Sequence, residues 1–204
     1  MSGGKMIPML DLPSDLPERL LQQEKSGIHS EGTGEDQREI RLTPAAVLMP
    51  LIRLNDQWHL VYTLRSVHLH DHSGQVSFPG GSWEPGDNNL IKTALRESRE
   101  EIGLNSTSVQ VLGCMAKMAM VTRFLVTPVV GIVDWPTELT VNPDEVDRVF
   151  SIPLDWLADQ SNQEFRVHTH GGKDFDVPYF KKYDGETVWG ATASMTLQFL
   201  SLLL

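Results

Sequence analysis

Three glutamates lie close together in the segment from Leu90 to Ile102, where the spacing of apolar residues predicts a helix. At about 100° per residue, Glu97, Glu100 and Glu101 share one arc beside the apolar stripe. Like charges three and four residues apart repel each other, and acid near a helix C-terminus opposes the helix dipole. A divalent cation would remove both penalties. The glutamates are therefore a candidate metal site; the alternative is a solvated acidic face.

The loop before this helix favours the metal site. Its sequence FPGGSWEPGD contains three glycines and two prolines, so its backbone must turn tightly. Its carbonyl groups could join carboxylates around Mg²⁺ or Mn²⁺. Asn88 or Asn89 suits the N-cap of the helix, and Gly103 suits its C-terminal stop. The buried stripe is predicted to contain Ile91, Ala94, Leu95, Ser98 and Ile102.

The elements that position this loop and helix can be predicted from apolar patterning. Strand-like segments occur at 45–54, 58–65, 75–78, 109–116 and 127–133, and helices are predicted at 12–24, after Pro153 and at 191–204. This order predicts an α+β fold with a mixed sheet and helices on its faces. Because 26–39 is polar and contains glycines, we expect an N-terminal helix and linker over 1–39 and the main domain over 40–204.

Composition narrows the classes of partner. The 204 residues carry a formal charge of −10, which argues against a nucleic-acid backbone or an anionic membrane as the main partner. The C-terminal apolar run is about half as long as the roughly 20 residues of a membrane span. A single cysteine, Cys114, excludes an internal disulfide. We therefore expect a cytoplasmic protein that does not enter a membrane, either a monomer or a homodimer.

The glycine-rich loop and acidic helix together resemble the signature of the Nudix hydrolases. The matching residues are Gly81, Asp87, Arg96-Glu97, Glu100-Glu101, Gly103 and Leu104. The chain departs from the signature because Asp87 replaces a glutamate and lies one residue farther than usual from Arg96. Ser98 replaces the common aliphatic residue. The departure at Asp87 leaves the role of that residue open.

A second resemblance lies just upstream of the signature. Leu64-Arg65-Ser66 and the run from Gly74 to Gly81 resemble the motif of the coenzyme A diphosphatase subfamily. His70 stands where arginine is usual, and Glu84 where aspartate is usual. Two later stretches, NPDEVDRVFSIPLDWL and VWGATASMTLQFL, also resemble this subfamily, so the likeness covers about 40–204.

The resemblance implies a fold, a cofactor and a reaction. The fold is a mixed sheet between helices, an α/β/α sandwich, and the cofactor is Mg²⁺ or Mn²⁺. Water would attack the diphosphate of coenzyme A and give 4′-phosphopantetheine and adenosine 3′,5′-bisphosphate. Acyl-CoA is a further expected substrate. The alternatives are another nucleoside diphosphate derivative, such as ADP-ribose, NADH or a dinucleotide polyphosphate, and a catalytically silent nucleotide-binding protein.

The resemblance also implies roles for individual residues. It assigns the metal to four ligands, the Gly81 carbonyl and the carboxylates of Glu97, Glu100 and Glu101. Arg96 would orient a glutamate, or form a plain helix pair with Glu100. The general base would be one of the signature glutamates or Glu145 in the NPDEVD segment. Glu145 could equally be an ordinary loop acid.

Substrate contacts are predicted from the upstream motif. Arg65 suits a substrate phosphate because its guanidinium is planar and forked, although a surface charge at a strand end is the alternative. Ser66 and Gly80 belong to the same motif and are assigned to substrate binding with it. The methionines at 115, 118 and 120 could line an apolar pocket for the pantetheine arm, but core packing is favoured.

Two sets of alternating histidines could suggest zinc: His68, His70 and His72, and His168 and His170. The first set is interrupted by Asp71 and followed by Ser73-Gly74, which indicates a loop, so zinc is not favoured at either. Cys114 is interpreted as a buried strand residue and not as a nucleophile.

Overall fold

The computed structural model describes residues 10–30, 42–69 and 72–204, with 28–30 and 170 described by their backbone alone. These residues contain four α-helices: α1 Leu16–Lys25, α2 Leu90–Ile102, α3 Leu154–Ala158 and α4 Gly190–Leu200. They also contain eleven strands: β1 Ile28–Ser30, β2 Thr43–Leu54, β3 Gln57–Arg65, β4 Val76–Ser77, β5 Gly80–Ser82, β6 Val109–Cys114, β7 Lys117–Ala119, β8 Phe124–Val133, β9 Val146–Pro153, β10 Gln163–His170 and β11 Lys173–Phe180.

Nine of the described strands form one mixed sheet, and β10 and β11 form a separate hairpin. The order in the large sheet is β1-β7-β8-β2-β3-β4, with β5 paired to β2, β6 to β8 and β9 to β3. The pairs β2–β8 and β1–β7 are parallel, and the other pairs are antiparallel. This arrangement confirms the predicted α+β class with a mixed sheet.

Both faces of the sheet are buried, because side chains of β2 alternate between two apolar clusters. Met49 and Leu51 lie in the cluster that receives residues from α1, α3 and α4. Ala46 and Leu48 lie in the other cluster, with Ala94 and Leu95 of α2. The sheet is thus covered by helices on both sides, as the predicted α/β/α sandwich requires.

A β-bulge interrupts the pairing of β3 with β9 close to the predicted site. Leu64 lies opposite Arg148, but the next residue, Arg65, lies opposite Val146, so β9 contains one extra residue, Asp147. The Asp147 carboxylate accepts a hydrogen bond from the Val67 N–H at 3.3 Å.

The N-terminal helix belongs to the packed part of the molecule. Leu16 and Leu20 of α1 are buried in one of the two clusters. A Cβ at Gly113 of β6 would meet the Leu20 side chain at 3.1 Å, so α1 lies close against this strand. β1 lies inside the segment predicted as a linker and pairs with β7. Residues 1–9 and 31–41 lie outside the described residues, so the boundary at residue 40 stays a prediction.

The five predicted strands correspond to β2, β3, β4, β6 and β8, and the predicted helices to α1, α2, α3 and α4. The prediction for 109–116 extended two residues too far, because β6 ends at Cys114. Among the described residues, no helix is both long enough and apolar enough to cross a bilayer.

Candidate active site

Helix α2 is fixed at both ends by the residues that the sequence suggested. The side chain of Asn89 accepts a hydrogen bond from the Lys92 N–H at 2.9 Å, and Gly103 adopts φ of +68° and donates to the Arg99 carbonyl. Ser98 lies in the buried stripe, and its hydroxyl donates to the Ala94 carbonyl at 2.7 Å. This bond satisfies the one polar side chain of the predicted stripe.

Asp87 anchors the loop before α2 to the helix. Its buried carboxylate accepts hydrogen bonds from the Arg96 guanidinium at 3.1 and 3.0 Å, from the Thr93 hydroxyl at 2.9 Å and from the Glu84 N–H at 3.1 Å. The bonds from Arg96 are the main reason that the pKa of Asp87 is lowered to about 2. The sequence left the role of Asp87 open, and the structure shows that it holds Arg96.

Arg96 also binds two of the predicted metal ligands. Its Nη1 lies 3.0 Å from carboxylate oxygens of both Glu97 and Glu100, and its Nη2 donates to the Ser82 carbonyl at 2.9 Å. The Arg96–Glu100 pair expected from the sequence is therefore present. The guanidinium connects the acidic side chains with the glycine-rich loop.

Glu97 packs directly over the backbone of Gly81. A Cβ at Gly81 would lie 2.6 Å from the Glu97 carboxylate, so no larger residue fits there without moving that side chain. Burial is the main reason that the pKa of Glu97 is raised, and its contact with Arg96 opposes the rise. The predicted carbonyl and carboxylate ligands are thus neighbours.

Glu101 is the most buried of the three glutamates, with 3% of its surface exposed. Its carboxylate accepts a hydrogen bond from the Gly80 N–H at 3.2 Å and lies 3.9 Å from Nη1 of Arg65. Burial raises its pKa to about 8, although Arg65 and the Gly80 N–H lower it. Gly80 itself needs to be glycine, because a Cβ would collide with the Ala46 carbonyl oxygen.

Glu145 lies near this pair of glutamates although it is distant in sequence. Its negative charge contributes to the raised pKa of both Glu97 and Glu101. Asn142 positions it by donating from its side-chain amide to the Glu145 carboxylate at 3.2 Å. The Asn142 N–H also donates to the Glu101 carbonyl at 2.8 Å, which ties this loop to the end of α2. Sequence reasoning did not identify Asn142.

Arg65 and Ser66 follow the β-bulge and connect the upstream motif to the glutamates. Arg65 is 26% exposed at its side chain, and its Nε is buried without a hydrogen-bond partner among the described residues. Ser66 is fully buried, and its N–H donates to the Glu145 carbonyl at 2.9 Å. Its direct contact with a substrate stays a prediction.

The carboxylates are near one another but do not form a closed ligand shell. Among the residues that the structure describes, no three acidic, histidine or cysteine side chains are arranged to enclose a metal ion. Glu97 and Glu100 contact Arg96, and Glu101 is turned towards Gly80 and Arg65. The donors are nevertheless of the hard oxygen type that Mg²⁺ and Mn²⁺ prefer.

The remaining candidates lie outside this site. Met115, Met118 and Met120 are buried in the core, as favoured from the sequence. Cys114 is buried at the end of β6, and burial raises the pKa of its thiol to about 11. His68 and His72 lie in a loop as predicted, whereas His70 lies outside the described residues. His168 lies on β10, and the side chain of His170 is not described.

Curated relatives resemble most of this chain. The Nudix hydrolase NudL of Photorhabdus laumondii is 39% identical over 76% of the chain and 81% of the relative. The mitochondrial coenzyme A diphosphatase NUDT8 of Homo sapiens is 40% identical over 80% of the chain and 70% of the relative. The peroxisomal coenzyme A diphosphatase NUDT7 of Mus musculus is 33% identical over 86% of the chain and 75% of the relative.

A solved structure supports the fold, and a family match defines the domain. A MutT/nudix family protein from Enterococcus faecalis superposes with a TM-score of 0.50 and 14% identity, covering 82% of this chain and 63% of that one. Residues 42–170 match the NUDIX domain, a segment that contains the glycine-rich loop, α2 and Glu145. The chain therefore belongs to the Nudix hydrolases, the family that its loop and acidic helix indicated.

Proposed function

We propose that the protein hydrolyses the diphosphate linkage of coenzyme A, and of acyl-CoA, to 4′-phosphopantetheine and adenosine 3′,5′-bisphosphate. The observation that carries this proposal is the 3.9 Å approach of Arg65 to Glu101. Arg65 belongs to the coenzyme A motif and Glu101 to the Nudix signature, so residues that are distant in sequence and belong to the two motifs meet at one place. The names of the mouse and human relatives support the same substrate.

The proposed ligands of the divalent cation are the Gly81 carbonyl and the carboxylates of Glu97, Glu100 and Glu101. The close packing of Glu97 on Gly81 supports this set, as does the raised pKa of Glu101, which is due mainly to burial and in smaller part to the charges of Glu145 and Glu97. Glu97 and Glu100 would each keep one carboxylate oxygen on Arg96 and offer the other oxygen to the cation. A bound Mg²⁺ or Mn²⁺ would supply neutralisation of diphosphate charge and a lower pKa for coordinated water.

Arg96 is proposed as a positioning residue. Asp87 and the Ser82 carbonyl hold its guanidinium, so the guanidinium can fix the directions of Glu97 and Glu100 without touching substrate. This role matches the expectation that Arg96 orients a glutamate. Asp87 would then act indirectly, because it holds Arg96 in position.

Arg65 is proposed to bind a substrate phosphate. Its side chain is partly exposed, and its Nε has no hydrogen-bond partner in the described residues, so an N–H group is free to donate to an anion. Gly80 stays assigned to substrate binding by its motif, and Ser66 would act on the Glu145 side of the site. These assignments place the substrate phosphate beside the C-terminal end of β3.

The proton from the attacking water needs a carboxylate acceptor. A signature glutamate is the first candidate, because Glu97 and Glu101 both have a raised pKa. Glu145 is the second candidate, because its negative charge contributes to the raised pKa of both Glu97 and Glu101. The two candidates differ in a pH–rate profile. Loss of the acidic limb, where the rate falls as the general base becomes protonated, in Glu145→Gln assigns the proton to Glu145, and an unchanged profile assigns it to the signature.

One experiment tests the reaction itself. The purified chain is incubated with Mg²⁺ or Mn²⁺ and, separately, with coenzyme A, acetyl-CoA, ADP-ribose, NADH and a diadenosine polyphosphate, and the products are identified by mass. Release of 4′-phosphopantetheine with the highest kcat/KM for coenzyme A is expected. Preferred cleavage of NADH or ADP-ribose would contradict the proposed substrate.

Two further proposals concern the cellular location and the oligomeric state of the protein. A cytoplasmic location would suit a chain with one buried cysteine, and fractionation of cells that produce the protein checks it. A monomeric or homodimeric state stays a prediction, which light scattering on the purified protein would decide.

A further inference from the structure

A cluster of near-parallel rings lies on the β10–β11 hairpin and at the start of α4. Tyr179 and Trp189 have ring centroids 5.4 Å apart at an angle of 12°. His168 lies 5.9 Å from Tyr179 and 6.3 Å from Trp189, at 23° and 20°. We name these three residues the hairpin aromatic cluster.

The cluster lies outside both apolar cores. Tyr179 and Trp189 are half-buried and His168 is exposed, whereas the neighbouring Phe180 and Val188 are buried in the core. Side chains alternate along β11, so burying Phe180 places Tyr179 on the outer face of the hairpin. Contiguous exposed rings with polar groups beside them are typical of binding surfaces, whereas single scattered rings are not.

The cluster has a cationic and polar rim. The Arg166 guanidinium lies 4.2 Å from the centroid of the Tyr179 ring and also pairs with Glu164 at 3.0 Å. A hydrogen bond of 3.0 Å joins the Tyr179 hydroxyl to Nε2 of His168 and holds the two rings in a fixed relation. The surface therefore combines flat π-systems with groups that can contact the polar edge of a flat ligand.

Contacts on both sides connect the cluster to the active-site end of β3. Arg148 lies opposite Leu64, the residue before Arg65, and it pairs with Asp184 at 3.2 Å and Glu186 at 3.5 Å in the turn that leads to Trp189. Three residues after Trp189, the Thr192 hydroxyl donates to the Val76 carbonyl of β4 at 3.0 Å. β4 pairs with β3 at Thr63 and Leu64.

We propose that the hairpin aromatic cluster is the subsite for the adenine base of the substrate. This inference rests on the proposed function, because coenzyme A has an adenosine on one side of its diphosphate and a pantetheine arm on the other. The base offers a planar π-face to parallel rings, and the same stacking supports base binding in other nucleotide-binding proteins. The flexible pantetheine arm has no such face, so the ring geometry favours the adenine half.

Binding of nucleotide fragments tests the subsite without turnover. The wild-type chain is titrated calorimetrically, with Mg²⁺ present, with AMP and with ribose 5-phosphate, which lacks only the base. The variants are His168→Ala and Tyr179→Leu, which each remove a ring. Phe165→Ala is the matched control, since Phe165 is 63% exposed on the same hairpin but on its opposite face.

The expected result is an increase of about tenfold in the Kd for AMP in each cluster variant, with the Kd for ribose 5-phosphate unchanged. Phe165→Ala should leave both constants unchanged. For coenzyme A, the cluster variants should raise KM by a similar factor while kcat stays close to wild type. His168→Ala changes an exposed side chain, so it keeps the test valid if Tyr179→Leu fails to fold.

Three outcomes would overturn the inference: equal binding of AMP and ribose 5-phosphate by the wild type, unchanged AMP binding in both variants, or parallel losses for both probes. Failure of the proposed function looks different. If coenzyme A is cleaved but AMP binding ignores the cluster, only the subsite is wrong. If AMP binding depends on the cluster and coenzyme A is left intact, the subsite stands and the reaction must concern another adenine nucleotide.

Discussion

Two groups of charged side chains on and around α2 have the same chemistry but opposite environments. In the anchor group, Asp87 is buried against Arg96 and Thr93, and its pKa is lowered to about 2. In the acidic group, burial and neighbouring negative charges raise the pKa of Glu97, and that of Glu101 to about 8. A carboxylate that accepts several hydrogen bonds stays ionised and stabilises the loop. A buried carboxylate that accepts few hydrogen bonds favours binding of a cation or a proton.

Substitutions in the two groups should affect different properties of the protein. Loss of an anchor residue should reduce stability first and activity second. Loss of an acidic-group residue should reduce activity while the fold remains intact. The predictions below distinguish the two groups. They begin with the largest expected effects on activity and end with effects on stability.

Glu101→Gln should have the largest effect on catalysis. Removing a carboxylate from the proposed metal and proton-transfer site should lower kcat about 100- to 10,000-fold. The melting temperature should not fall, because the amide keeps the shape of the side chain and removes a buried charge. Steady-state kinetics and circular dichroism measure the two effects. Near-wild-type turnover would remove Glu101 from the site.

Gly81→Ala should reduce activity by an intermediate amount. The new Cβ would lie 2.6 Å from the present position of the Glu97 carboxylate, so Glu97 must move. Displacing one proposed ligand should lower kcat/KM by roughly 100-fold, in line with small misplacements at other active sites. Gly86→Ala in the same loop is the control, because a Cβ there meets nothing within 4 Å. Equal activity of the two variants would contradict the placement of Glu97.

Asp87→Asn should act on stability. It removes the charge from hydrogen bonds to a guanidinium, which costs about 2 kcal/mol. For a domain of this size, the melting temperature should fall by about 4–8 °C. Thermal unfolding measures this change, with Asp134→Asn as an exposed control. An unchanged melting temperature together with a large loss of activity would move Asp87 from the anchor group to the chemistry.

The pH dependence of stability tests the raised pKa of Glu101 without an activity assay. The folded-state pKa of Glu101 is raised from 4.5 to about 8, so the folded protein binds this proton more tightly than the unfolded chain does. For protein treated with a chelator, this group should contribute a fall in unfolding free energy as pH rises from 4.5 to about 8. Denaturant titrations should show a flatter profile for Glu101→Gln. Identical profiles would exclude a raised pKa at Glu101.

Much of this architecture could be predicted from the sequence because it depends on local patterns. Helix α2, its Asn89 and Gly103 ends and its buried stripe follow from spacing and capping chemistry. The segments β2, β3 and β8 have strong runs of apolar residues. The candidate site residues came from the resemblance of the two motifs to those of a family, and their roles stay proposals.

The features that escaped prediction depend on contacts between distant segments. β9 has the sequence VDRVFSIP and pairs with β3, but its polar residues interrupt the apolar signal. The hairpin is mostly exposed, so β10 and β11 lack the buried face that would indicate strands. Asn142 could not be identified from its sequence neighbours, because its role depends on hydrogen bonds to both Glu101 and Glu145 in the folded protein. Alternation in EFRVHTH was the available signal for β10.

The extra residue in β9 helps to set how the loop that ends at Glu145 approaches the end of β3. With Asp147 present, Arg65 lies opposite Val146 and Ser66 bonds to the main chain of Glu145. Since successive strand residues point to opposite sides, a chain shortened by this single position would reverse the side chain of Val146 and shift the main chain of Glu145 relative to Ser66. A deletion here would therefore displace an intact glutamate from its two neighbours on α2, without any substitution at the glutamate itself.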